Sequence, residues 1–315
     1  MNIIFCSYAY LESYISTIEK SSNLVSNEKI NMYLRCSVVS LISLRNNNPD
    51  CEIALVTNIK IPNNFEDIFN KNNIKVIRQK FDLFTFDSEM KWSLAFYKLC
   101  ALDHIVNDFS YDKIMTVDLD VFCSKNLNEV WIEADTNLLL YDMHHSLSNQ
   151  QSINMNNEYY QLYDKHVILP NYGGEFICGN RKYLKMFLDE CHIIYRRMIE
   201  KNIRTNHGDE FIICSVSIRM REIIKNANAY VFRYWTDKFY LVSTNYYYNP
   251  VSLLHLPDEK KRGFKKMYYY YLKKQKLLDN DKAIKLFGLP KLYRTLRLND
   301  YIYLAKKVII KILAK

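Results

Sequence analysis

Apolar residues follow two alternating rhythms through the first 120 positions. Short runs rich in apolar and β-branched residues at 2–6, 52–57, 74–78 and 113–117 predict strands. Between them the apolar spacing stretches to three and four. Met32, Cys36, Val39 and Ile42 form such a stripe in a helix predicted over residues 28–45, and further helices are predicted near 65–71 and over 91–106. Asn46-Asn47-Asn48-Pro49-Asp50, Ile61-Pro62-Asn63 and Asn107-Asp108 punctuate the pattern. Strand and helix in strict alternation predict an α/β fold with a doubly wound, mainly parallel sheet. Beyond residue 120 the alternation loosens, with strands predicted at 137–141, 175–178, 230–232 and 252–256 and helices at 181–201 and 210–224. This second half is expected to close a cleft over the first.

Composition narrows the class. The 315 residues are 49% hydrophobic, with only six glycines and six prolines, so the chain is globular with few flexible linkers. Its eight cysteines lie mostly in apolar runs without a C-x-x-C pair, the pattern of buried thiols in a reducing compartment. Neither a signal peptide nor a membrane span is legible, so cytoplasmic residence is expected. The net charge of +9 is uneven: residues 260–315 hold 17 Lys/Arg against three Asp, +14, which leaves −5 for residues 1–259. This predicts a 1–259 domain, with halves 1–120 and 121–259, followed by a basic, aromatic tail over 260–315.

Candidate chemistry centres on Asp118 and Asp120, which follow the run Lys113-Ile114-Met115-Thr116-Val117. Residues two apart in an extended chain point the same way, so the two carboxylates can converge on one hard cation, and that cation can hold a diphosphate. The plainer reading is a solvated turn cap. In an open α/β sheet, ligands bind beyond the carboxyl ends of the strands, where Asp118 and Tyr8 both fall.

Four separated pieces then resemble one family in its order: Phe96-Tyr97-Lys98-Leu99; Asp112 through Asp120; Asn171-Tyr172-Gly173-Gly174-Glu175-Phe176 with Gly208-Asp209-Glu210; and His255-Leu256-Pro257-Asp258-Glu259-Lys260-Lys261. Over about residues 2–262 the chain resembles the GT-A glycosyltransferases, nearest to the glycogenin-like and galactosyltransferase-like members of glycosyltransferase family 8. The resemblance implies a Rossmann-like GT-A fold and transfer of a sugar, a hexose, from a UDP-sugar to a glycan or lipid-linked saccharide with retention of configuration. It implies Mn²⁺, or Mg²⁺, on Asp118, Asp120 and His255. Nucleotide-sugar contacts would come from Tyr8, Lys98, Asp118, Gly173, Gly174 and Lys261, and catalytic contacts from Asp209 and Glu210. Tyr10 stands beside Tyr8 as a second aromatic for the base. The chain departs from the family where Glu210 replaces the usual glutamine, Tyr172 the usual serine, and Arg262-Gly263 the usual Pro-Trp.

These roles make chemical sense alone. Sugar transfer leaves negative charge on the departing phosphate, and a cation with fixed lysines lowers that barrier. An imidazole ligand favours Mn²⁺ over Mg²⁺. Gly173 and Gly174 would let backbone approach a sugar, or mark a β-bulge. A carboxylate at 210 would steady an oxocarbenium ion or attack it. In a helix from Tyr301, Ile302, Ala305, Val308, Ile309, Ile312 and Leu313 share one arc opposite Lys306, Lys307, Lys311 and Lys315. Together with the Lys265–Tyr271 stretch this suits an anionic membrane surface, placing the protein peripherally on an inner membrane face, with no nucleic-acid partner expected. Two rivals stand beside this reading. One is a haloacid-dehalogenase-like phosphohydrolase using Asp118 and Asp120; the other is a non-catalytic basic membrane adaptor.

Overall fold

The computed structural model describes residues 1–11, 26–143, 149–236, 251–289 and 298–313. Its centre is a seven-stranded sheet. Strands β1 (Ile3–Tyr8), β2 (Glu52–Thr57), β3 (Lys75–Arg78) and β4 (Lys113–Val117) run parallel, joined by helices α1 (Ser26–Asn47), α2 (Asn63–Lys71) and α3 (Tyr97–Asp108). β6 (Leu138–Asp142), β7 (Tyr172–Asn180) and β8 (Ile224–Asn226) complete the order β3-β2-β1-β4-β7-β6-β8, with β7 antiparallel to both its neighbours. A second sheet, in the order β5 (Val121–Cys123), β10 (Leu253–His255) and β9 (Val231–Arg233), begins just after the end of β4. The remaining helices are α4 (Asn128–Glu133), α5 (Asn149–Tyr163), α6 (Arg181–Glu200), α7 (Asp209–Ser217), α8 (Gly263–Lys274), α9 (Asn280–Leu286) and α10 (Leu298–Leu313).

β1 shows why its sequence is so apolar. Ile4, Cys6 and Tyr8 join one core with α1, β5, β10 and α8, while Ile3 and Phe5 join another with α3, α6 and α7. Period-two alternation thus serves two buried faces instead of one. α1 is buried almost all round its middle, because it lies between the main sheet, the small sheet and α8. Its serines tolerate this by bonding back along the helix, Ser37 Oγ to the Leu34 carbonyl at 2.8 Å and Ser43 Oγ to the Ser40 carbonyl at 2.7 Å.

The order of strands makes β1 and β4 adjacent although two strands intervene in sequence, so the connections leave β1 in opposite directions. A crevice opens at the carboxyl ends of those two strands.

Three expectations shift. The helix predicted over 91–106 begins later: Trp92 has a left-handed backbone (φ 64°), Ser93–Phe96 form a 3₁₀ turn, and α3 starts at Tyr97. The helix predicted over 210–224 stops at Ser217, and Ile224 instead opens β8. Residues 263–289, grouped by charge with the tail, enter the α1-side core through Phe264, Met267, Tyr268, Tyr271, Ile284 and Phe287. Tyr268 and Tyr271 are therefore withheld from any membrane surface, since the faces between their lysines pack inward. α10 differs: every residue whose side chain is described there is exposed. Among the described residues no helix is long and apolar enough to cross a membrane.

Candidate metal and nucleotide-sugar site

β4 delivers Asp118 and Asp120 to the crevice, and a tight turn, with Val121 N–H donating to the Asp118 carbonyl at 3.2 Å, reverses the chain into β5. β10 pairs with β5 so that His255 faces Val121, and Leu256 N–H donates to the Asp120 carbonyl at 3.0 Å. Sheet register therefore brings the histidine beside the aspartates. Its Nε2 lies 3.6 Å from Asp118 Oδ2 and 3.4 Å from Asp120 Oδ2. The three ligand atoms lie within 4.8 Å of one another.

A ring of cations surrounds them. Lys98, in the first turn of α3, is buried with Nζ 2.6 Å from Asp118 Oδ1 and 3.5 Å from Asp209 Oδ2, and it donates to the Gly174 carbonyl. Lys260 Nζ lies 2.5 Å from Asp120 Oδ2. Behind His255, Nδ1 meets Glu175 Oε1 at 3.0 Å. Glu175, 1% exposed, takes a two-pronged contact from Arg233 at 2.6 and 2.7 Å, and Arg233 Nη2 reaches Glu210 Oε1 at 3.2 Å.

Burial and these partners set the protonation states. Burial alone would raise the Asp120 carboxyl, but the Lys260 ammonium and the His255 ring hold it well below the usual carboxylate range. Burial likewise opposes ionisation of Glu175, and Arg233 with His255 overcomes it. For His255, burial pulls down while Asp120 and Glu175 push up to about 9. Glu210 goes the other way. Burial, reinforced by the Glu175 and Asp209 carboxylates, lifts it to about 7 against the opposing Arg233. Asp209 is also raised, by burial first and Asp118 next, with Lys98 opposing.

The donor set fits a divalent cation. Two carboxylates and an imidazole nitrogen match Mn²⁺ or a similar ion. Asp120 Oδ2 is buried with the Lys260 ammonium and the His255 ring as its neighbours, so the pocket already favours positive charge at this oxygen. Glu175 on Nδ1 leaves Nε2 facing the aspartates, the arrangement that orients histidine ligands generally.

The cleft in front measures about 550 Å³ and is lined by Tyr8, Lys98, Asp118, Asp120, Gly174, Asp209 and Glu210, with Glu175, Arg233 and Lys260. Of the residues singled out in the sequence, Tyr8, Lys98, Asp118, Asp120, Gly174, Asp209 and Glu210 meet here, and His255 sits just behind. Lys261 is exposed and does not line this cleft; Lys260 takes the position at Asp120, because the 3₁₀ turn Pro257–Glu259 rotates it inward. Tyr10 is tied by its backbone to Asn58 and does not line the cleft, whereas Tyr8 packs on Tyr33 with ring centres 5.6 Å apart.

The glycines make room for side chains of the protein itself. A Cβ on Gly173 would come within 1.9 Å of Glu175 Oε2, and one on Gly174 within 2.5 Å of Asp209 Oδ2 and 3.0 Å of Lys98 Nζ. The pairing of β7 with β6 also jumps here, from Leu140↔Ile177 to Tyr141↔Gly173, which is the irregularity that lets Glu175 turn inward. Glu175, Arg233 and Lys260 were not singled out in the sequence. Only Glu175 carried a signal, a lone acid in an apolar strand that must find a partner.

No family model matches the chain, and no curated protein sequence matches it. Its fold does match solved structures. Mouse xyloside xylosyltransferase 1 in its apo form aligns with a TM-score of 0.51 at 10% identity, over 81% of this chain and 97% of that one. The apo structure of the bifunctional glycosyltransferase WbbM aligns with a TM-score of 0.54 at 14% identity, over 91% of this chain and 49% of that one. This chain therefore spans about half the length of WbbM. At such identities the likeness is one of fold, the α/β architecture of the GT-A type expected from the sequence.

Proposed function

We propose that this chain is a metal-dependent glycosyltransferase that moves a sugar, a hexose, from a UDP-sugar to a glycan or lipid-linked saccharide with retention of configuration. The observation that carries the reading is the meeting of Asp118, Asp120 and His255, between Lys98 and Lys260, in the crevice at the ends of β1 and β4. Asp118, Asp120 and His255 would hold Mn²⁺, or Mg²⁺, which when bound supplies positive charge to the departing diphosphate. Lys98 and Lys260 add fixed ammonium charge on either side of the carboxylates, in place before the phosphate leaves. Asp209 Oδ2, buried with the Lys98 ammonium 3.5 Å away, offers an acceptor to the donor sugar's hydroxyls. Glu210, held by Arg233, presents a carboxyl whose ionised form steadies positive charge at the anomeric carbon.

The acceptor reading extends to a membrane. Ile302, Val308, Ile309, Ile312 and Leu313 are all exposed on α10, within a +14 segment, which supports peripheral attachment to an anionic inner membrane face. The phosphohydrolase alternative gains no support, since the aspartates follow the fourth strand and Asp118 is engaged by Lys98.

Thermal shift with UDP-, GDP- and CMP-sugars, with and without Mn²⁺, tests the proposal, because a ligand that binds the native state raises the melting temperature by mass action. A UDP-sugar should stabilise the protein only with the metal, and Asp120→Asn should abolish the shift. No shift with any nucleotide sugar, or a shift undiminished in excess chelator, would overturn it.

A further inference from the structure

Away from the cleft, on the opposite side of α3, a second set of ligating side chains converges. Cys100, His104 and Asp108 recur every four residues and so share one face of the helix. The irregular segment between β3 and the 3₁₀ turn lays Asp82 across that face. Asp82 Oδ1 lies 2.9 Å from His104 Nε2 and 3.8 Å from Cys100 Sγ, and the three ligand atoms fall within 4.8 Å of one another. His104 Nδ1 meets Asp108 Oδ2 at 3.1 Å.

We propose that Asp82, Cys100 and His104 form a zinc-type transition-metal site, distinct from the aspartate pair, with Asp108 orienting the histidine. Three features of the cluster converge on this. With Nδ1 paired to Asp108 at 3.1 Å, Nε2 stands 2.9 Å from Asp82 Oδ1, so a metal bound at Nε2 would have the carboxylate beside it and the second carboxylate behind the ring. Cys100 Sγ lies 3.8 Å from Asp82 Oδ1 and 3.4 Å from the Lys80 carbonyl, so its sulfur faces the same space as the carboxylate and the imidazole. A tetrahedral ion with ligand bonds of about 2.0–2.3 Å has donor-to-donor edges of about 3.3–3.8 Å. The 3.8 Å edge from Cys100 to Asp82 meets that range, and the 2.9 Å edge from His104 to Asp82 reaches it by an opening of about 0.4 Å. A thiolate with an imidazole and a carboxylate selects Zn²⁺ or Co²⁺ over Mg²⁺ and Mn²⁺. The Asp82 side chain is half exposed, which leaves an approach for the ion and a fourth position for water. Binding releases the thiol proton, and any imidazole proton, to solvent.

The consequence is mechanical. Such an ion fastens residues 79–92 to α3, the same helix that presents Lys98 to the cleft, and this segment ends in Lys91 and Trp92, which line the cleft wall.

Cobalt absorption tests the site independently of any transferase activity, since the aspartate centre contains no sulfur. In the Asp120→Asn variant, Co²⁺ should produce thiolate-to-cobalt charge-transfer absorption that saturates at one ion per chain. Cys100→Ser should abolish the band, and His104→Gln and Asp108→Asn should each weaken binding about tenfold or more. Because Cys100 is buried and its variant can misfold, His104→Gln on the more open side provides the second measure. A folded protein without the band at saturating Co²⁺, a band that survives Cys100→Ser, or unchanged affinity in His104→Gln would overturn the site. The first of these outcomes would leave Asp82 and Asp108 as partners of a protonated histidine only.

Discussion

The cleft and the last helix break the ordinary division of inside and outside in opposite ways. Around Asp118 the protein buries five ionisable side chains, Lys98, Asp120, Glu175, Asp209 and His255, with Glu210 and Arg233 half-buried beside them, each with a charged neighbour. On α10 it exposes a run of apolar ones. Buried charge and exposed apolar surface are the two arrangements that folding alone disfavours, so each points to a ligand. The difference lies in cost. Buried charges must be matched by geometry within a few tenths of an ångström, which ties the cleft to the stability of the whole fold. An exposed helix face draws on no neighbour, and its loss should leave the domain standing.

The largest expected effect is on chemistry at the buried end. Asp120→Asn should cut sugar transfer by at least about a hundredfold while the far-ultraviolet circular dichroism stays unchanged. Near-normal turnover would separate Asp120 from the reaction.

Next comes the cost of unpairing a buried ion. Glu175→Ala leaves Arg233 with Glu210 alone and removes the partner of His255 Nδ1, so urea unfolding should report a loss of about 3–5 kcal/mol. If the loss is below about 1 kcal/mol, the buried network is not what stabilises the cleft.

A smaller and pH-dependent effect belongs to Glu210. Its carboxyl rises from 4.5 in the unfolded chain to about 7 in the fold, so the folded state prefers the protonated acid. The stability this brings is fully present below pH 4.5 and is lost as pH rises through 7. Glu210→Gln cannot ionise, so its melting temperature should gain on the parent's across that interval, by the equivalent of about 1–2 kcal/mol. A constant difference between pH 4 and pH 8 would sink the assignment.

The smallest effect on the fold should come from the exposed end. Deleting residues 290–315 should leave the melting temperature and the hydrolysis of a soluble UDP-sugar within experimental error. Sedimentation with phosphatidylglycerol vesicles should fall by about tenfold, and binding by the intact chain should weaken with salt. Equal sedimentation with neutral vesicles would remove the electrostatic part of that reading.

Much of this was legible in one dimension. β2 and β4 fall where their residues predict, at Glu52–Thr57 and Lys113–Val117, because parallel strands buried on both faces are nearly continuous apolar runs. α5 was missed: its buried stripe of Met155, Tyr159 and Leu162 is short and set among asparagines and glutamines. Asp118 and Asp120 were visible as a pair, since their spacing is local. The resemblance points to Lys261 while the structure turns Lys260 toward Asp120, because a single residue in a 3₁₀ turn decides which ammonium faces inward, and no periodicity records that rotation.

The sequence by itself determined the alternation of strands and helices, the position of the two aspartates at a strand end, and the concentration of basic charge in residues 260–315. Each is a property of neighbouring residues, whose spacing dictates which face a side chain takes. Only the tertiary structure decided that His255 lies against Val121, that Glu175 turns inward at a jump in pairing, and that Arg233 links it to Glu210. Those contacts join segments far apart in the chain, and their energies depend on desolvation and charge that exist only once the core has closed around them.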